Sequence, residues 1–110
     1  MEESKALQAL AALSQETRLG AFRLLVRHEP AGLPAGEVAR LLEVPQNTMS
    51  AHLAVLARSG LVRSERQSRL IVYRADLEAL RSLVLFIVKD CCASSPDVCA
   101  PLVAELALCH

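Results

Sequence analysis

Apolar residues return at helical spacing through most of this chain, and one short stretch breaks the rhythm. Ala6, Leu7, Ala9, Leu10 and Leu13 share a face near the N-terminus and predict a short amphipathic helix that ends near Ser14. Ser14 is then the expected N-cap of a second helix over residues 15–28, with Leu19, Phe22 and Val26 on one side and Glu29 and Pro30 closing it. After a loop, GEVARLLEV carries Val38, Leu41 and Leu42 at i, i+3, i+4. Pro45 stops that helix and is expected in the first turn of QNTMSAHLAVLARSG, where Met49, Leu53 and Leu56 recur at i, i+4, i+7 before Gly60 ends it. Two short helices with a tight break predict a helix-turn-helix over about residues 36–60.

The period then changes. Residues 61–66 and 70–74 are short β-prone runs joined by the polar Gln67, Ser68 and Arg69, which predicts a hairpin, or wing, over about residues 61–75. Helical spacing resumes through Leu77, Leu80, Val84, Ile87 and Val88, a helix of roughly 22 Å that is apolar on several sides. The pattern is that of a mainly α fold with a small β-hairpin, a winged helix-turn-helix, in one domain over residues 1–110.

Composition sharpens this picture. Apolar residues make up 53% of the chain, yet only one Tyr and two Phe are aromatic, so the core must be built from Leu, Val and Ala, which favours helices. A mean hydropathy of +0.32 implies apolar surface kept for another subunit. The N-terminus, MEESKALQAL, is acidic where a secretory leader is basic, and the longest pure apolar run, residues 83–88, is too short to span a bilayer. The expected location is the cytoplasm, with no membrane partner. Thiols stay reduced there, so the four cysteines read as ligands or sensors before structural disulfides.

The net charge is zero but uneven. Residues 1–39 hold four basic and five acidic side chains, residues 40–74 six and two, and residues 75–110 two and five, giving −1, +4 and −3. A basic middle in a neutral chain points to double-stranded DNA met on one face. With Met49, Leu53 and Leu56 turned inward, Gln46, Asn47, Thr48 and Ser50 face the groove, residue types that pair with base edges. Arg66, Gln67 and Arg69 at the hairpin tip suit phosphate or minor-groove contact, with Arg58 and Arg63 also within reach of the backbone. The chain has no GxSxG, no HExxH, no Gly-rich phosphate loop and no Walker lysine, so no enzyme is expected.

Over residues 6–99 the chain resembles the arsenical-resistance (ArsR/SmtB) family of bacterial repressors. The likeness runs through SQETRLGAFRLL, GEVARLLEVPQNTMSAHLAVLARSGLV, a wing with RLIVY and the CC pair, and TMSAHLAVLARSGLV is its most specific part. The resemblance implies a homodimeric winged-helix repressor that leaves its operator on binding a metal or metalloid, and it gives His52 a contact to DNA. Two departures matter. The CxC motif of many arsenic-sensing members has no counterpart in GEVARLLEV, and DLEALRSLVLFIVKD lacks the His of zinc-sensing members. One family variant instead uses a Cys pair and a third Cys just after the long helix, and DCCASSPDVC resembles that variant.

Cys91, Cys92 and Cys99 stand within nine residues of one another, while Cys109 lies almost at the C-terminus. Soft thiolates select thiophilic centres, and pyramidal As(III) or Sb(III) takes three. A tetrahedral Zn(II) or Cd(II) needs a fourth ligand, for which Cys109 and His110 are the candidates. The competing readings are a redox-sensing thiol pair and small buried hydrophobes. The expected dimer interface uses helices over about residues 4–13 and 76–92, through Leu7, Leu10, Leu80, Val84, Ile87 and Val88. A ligand closing the thiol site at residues 91–99 then reshapes the end of that interface.

Overall fold

Small side chains decide how the first helix packs. In the computed structural model, which describes residues 1–94 and 96–108 but not the side chains of 91–96 and 98, α1 (Glu3–Leu13) buries Ala6, Ala9 and Ala12. Leu7 and Leu10 on its other side are 59% and 41% exposed. Alanine lets the helix lie close to the body, and the leucines are left for a different surface.

The first connection differs from the sequence expectation. Ser14 closes α1, its Oγ donating to the Ala11 carbonyl at 2.8 Å, and Gln15 caps α2 (Glu16–Arg27) by accepting the Arg18 N–H at 2.9 Å. The two caps are consecutive residues, and the longer Gln15 side chain spans to the third helical N–H. Inside α2, Ala21, Phe22, Leu24 and Leu25 are buried, whereas Leu19 lies outside.

The chain then adds a strand that periodicity could not show. β1 (Leu33–Pro34) is two residues long and pairs antiparallel with β3 (Leu70–Ala75), which also pairs with β2 (Val62–Gln67), giving the order β1-β3-β2. The hairpin register runs from Val62 opposite Ala75 to Gln67 opposite Leu70, with Ser68 at φ +59° in the two-residue turn.

Between β1 and the hairpin lie α3 (Ala35–Leu42) and α4 (Gln46–Arg58). α3 turns Val38 and Ala39 inward and packs Leu42 against the core, while Leu41, expected on the same face, is exposed. Glu43 closes it in the left-handed conformation, with Val44 N–H donating to the Ala39 carbonyl in a Schellman-type closure. Pro45 is the residue before α4 rather than part of its first turn. Met49, Leu53 and Leu56 are fully buried and, with Leu25, Val38 and Leu61, form the centre of the core.

Arg74 ties the wing to the body. Its guanidinium holds Glu29, between α2 and β1, through Nε and Nη2 at 3.2 and 2.8 Å, and Glu65 on β2 through Nη1 at 2.8 Å. The hydrogen bonds from Arg74 hold the Glu29 carboxyl below its ordinary value of 4.5, against an opposing push from burial. A depressed carboxylate stabilises the fold above the unfolded-chain value and loses that contribution as pH falls through the folded-state value. Glu29→Gln is therefore expected to melt below the wild type at neutral pH, with the gap closing below about pH 4. Melting curves across pH check this, and a gap that persists in acid would remove the ion pair as its cause.

α5 (Leu77–Ser94) starts on Asp76, whose carboxylate accepts the Ala79 N–H at 3.0 Å. It buries Leu83 and leaves Val84, Leu85 and Ile87 exposed. α5 continues through Cys91 and Cys92, and α6 (Pro96–Ala107) follows, with Cys99 near its start. Pro96 suits the first position of a helix, where its missing N–H costs nothing. No helix among the described residues is long and apolar enough to cross a membrane.

Candidate nucleic-acid interface

α4 separates its faces cleanly. Opposite the buried Met49, Leu53 and Leu56, the side chains of Gln46, Asn47, Thr48, Ser50 and Ala51 are exposed, and Ala54 is half-buried. Gln46 leans toward α3 at Gly36, where an added Cβ would meet its Oε1 at 3.3 Å. Asn47 Oδ1 accepts the Thr48 N–H at 2.9 Å. The result is a row of short polar groups along the start of one helix, which can donate to and accept from base edges without carrying charge.

Charge surrounds this row. Of the six arginines in residues 40–74, Arg40 pairs with Glu37, and Arg74 with Glu29 and Glu65. Arg63 stands 3.8 Å from Glu65, a loose and exposed pair. Among the described residues, Arg58, Arg66 and Arg69 form no ion pair, so the basic excess concentrates at the end of α4 and at the wing tip. Phosphate contact needs solvated cations of this kind flanking a groove-reading helix.

His52 lies half-buried on α4, with Nδ1 3.4 Å from Nη1 of Arg18 on α2. Arg18 was missing from the sequence reading. Thirty-four positions separate the two residues, and no local pattern signals such a contact.

The thiol segment lies apart from α4 and the wing in sequence. Cys91 and Cys92 fall near the end of α5, with side chains outside the described residues; Cys109 and His110 lie outside them altogether. Cys99 is half-buried and disulfide-bonded. Among the described residues no group of three His, Cys, Asp or Glu side chains is placed to hold a metal ion.

Comparison with known proteins bears on these features. A helix-turn-helix domain family matches residues 13–65. An ArsR-like transcriptional regulator from Rhodococcus sp. RHA1 superposes with a TM-score of 0.72 at 27% identity, over 97% of this chain and 96% of that one. The transcriptional activator HlyU of Vibrio cholerae is 28% identical over 92 residues, 84% of this chain and 82% of that protein. The structure of V. cholerae HlyU superposes at 32% identity with a TM-score of 0.63, over 83% of this chain and 99% of that one. The chain belongs to the ArsR/HlyU-type winged helix-turn-helix transcriptional regulators. A second structure, of reduced HlyU from the same organism, matches at 32% identity with a TM-score of 0.62, over 74% of this chain and 84% of that one.

For an ArsR/HlyU-type regulator the two halves of this molecule stand differently. The matched domain spans α2, β1, α3, α4 and most of β2. It stops short of α5 and α6, which carry the thiol segment of this ArsR/HlyU-type chain.

Proposed function

We propose that this regulator binds operator DNA as a homodimer, acts as a repressor, and is released when As(III), or Sb(III), is bound by Cys91, Cys92 and Cys99. Gln46, Asn47, Thr48, Ser50 and His52 meet the major groove, and Arg66 and Arg69 meet the backbone beside it. The dimer is supported by the exposed apolar faces of α1 and α5, where Leu7, Leu10, Val84, Leu85 and Ile87 cover no core of their own chain.

The observation that carries the thiol reading is the disulfide at Cys99: this sulfur, on α6, reaches a second cysteine sulfur of the same chain. Once reduced, the two sulfurs of that bond supply two of the three thiolates that a pyramidal metalloid takes. Arsenite takes up three thiols and releases three waters, with no change in oxidation state. Because α5 carries Cys91 and Cys92 while α6 carries Cys99, closing the three sulfurs around one centre fixes the angle between those helices. That biases the dimer toward a separation of its α4 helices that fits two half-sites poorly.

The same disulfide favours a second reading, in which oxidation of two thiols by a disulfide-forming oxidant is the signal. That a relative was solved in a form described as reduced adds support. One experiment separates the two: fluorescence anisotropy of the reduced protein on its upstream promoter DNA, titrated with arsenite, Zn(II) and diamide. Arsenite under full reduction is expected to weaken binding roughly 5- to 150-fold, the range of typical allosteric coupling. Release by diamide alone would sink the metalloid reading and leave the redox one.

A further inference from the structure

Arg18 sits where three helices meet. Its backbone N–H engages the Gln15 cap of α2, its Nε donates to the Ala12 carbonyl in the last turn of α1 at 2.6 Å, and its Nη1 reaches Nδ1 of His52 on α4. A guanidinium has only donors and keeps its charge at any physiological pH. A ring nitrogen facing it must therefore offer a lone pair, and a neutral imidazole with its lone pair on Nδ1 carries its proton on Nε2. Among the described residues Nε2 has no hydrogen-bond partner, and no buried side-chain nitrogen there lacks one, so Nε2 opens to solvent. His52 stands four residues after the exposed Thr48, on the same side of α4.

We propose that Arg18 is a positioning residue that fixes His52 as an Nε2–H donor, so that α4 presents a neutral imidazole to a phosphate oxygen of the DNA. The proposal rests on the DNA-binding reading above. Phosphate is favoured over a base edge because the Arg18 cation lies beside the ring and stabilises an anion approaching it. A neutral donor displaces no counterion, which separates its effect from that of a charged contact.

The test pairs a spectroscopic readout with a binding one on the full chain. Long-range proton–nitrogen correlation of histidine-labelled protein is expected to show His52 as the Nε2–H tautomer, with the signal assigned by its loss in His52→Gln. In Arg18→Gln, whose amide accepts as well as donates, that signal is expected to shift toward a mixture of tautomers. His52→Ala is expected to weaken binding roughly tenfold on both operator and scrambled DNA, with an unchanged salt slope. His52→Gln, which keeps an N–H near the Nε2 position, is expected to recover most of that loss, whereas His52→Asn recovers none.

An Nδ1–H tautomer in the wild type, or a tautomer indifferent to Arg18→Gln, overturns the proposal. A loss confined to operator DNA, or a salt slope lowered by about one, overturns the neutral phosphate contact. If the wild type binds neither DNA while the tautomer still follows Arg18, the DNA-binding reading is what has failed, and the donor has no phosphate to meet.

Discussion

Gly32→Ala is expected to destabilise the fold by about 3 to 4 kcal/mol, well beyond the effect of the same change at Gly60. Both glycines sit at positive φ, +72° and +85°, where an L-residue is strained. At Gly60 a Cβ meets nothing within 4 Å, so its cost is the conformational one alone, about 1 to 2 kcal/mol. At Gly32 the same atom would stand 2.6 Å from the Tyr73 carbonyl oxygen and 2.7 Å from side-chain carbons of Val72 and Arg74. The carbonyl is backbone of β3, the central strand, pinned by β1 on one side and β2 on the other, and it cannot yield without loosening both pairings. Urea unfolding of the two variants at one fixed protein concentration checks the contrast, the concentration being held because stability of an assembling chain depends on it. Equal losses would show that the close approach to β3 carries no weight.

Helix α4 was the most legible part of the chain, because one physical demand governed it. Met49, Leu53 and Leu56 had to be buried together, and the polar residues between them had nowhere to go but outward. Where two demands compete, the sequence reads less well. α1 offers an alanine face and a leucine face; the alanines took the body of the fold, and hydrophobicity alone ranks them the other way. β1 is two residues, one of them proline, and exists only because β3 has an edge to pair with, a tertiary fact with no local period. α6 was hidden by composition: DCCASSPDVC has the serines and proline of a loop, yet Pro96 opens a helix at the position where proline is tolerated. The pairing of Arg18 with His52 and the anchoring of Arg74 by Glu29 join residues 34 and 45 positions apart, and only the folded chain brings them together.

Cys99→Ser is expected to abolish release of DNA by arsenite, reducing the wild-type weakening of roughly 5- to 150-fold to less than about twofold. Serine differs from cysteine by one atom and replaces a half-buried side chain, so binding to DNA without arsenite should stay close to wild type. What it removes is the only thiol that the described structure places on α6. Arsenite can still be held by two sulfurs on α5, with a hydroxide in the third position, but then nothing links α5 to α6 and the interface helix keeps its resting geometry. Affinity for arsenite and release of DNA thus come apart in this variant, which a site of purely local consequence would not permit. The two are measured side by side, release by anisotropy and binding by the absorbance of the sulfur–arsenic bonds. Full release with wild-type sensitivity would show that Cys99 is not a ligand and that the signal enters through α5 alone. Diamide applied to the same variant carries the comparison further: Cys99 is disulfide-bonded, so oxidant and metalloid are expected to lose their effect together if both signals pass through this one sulfur.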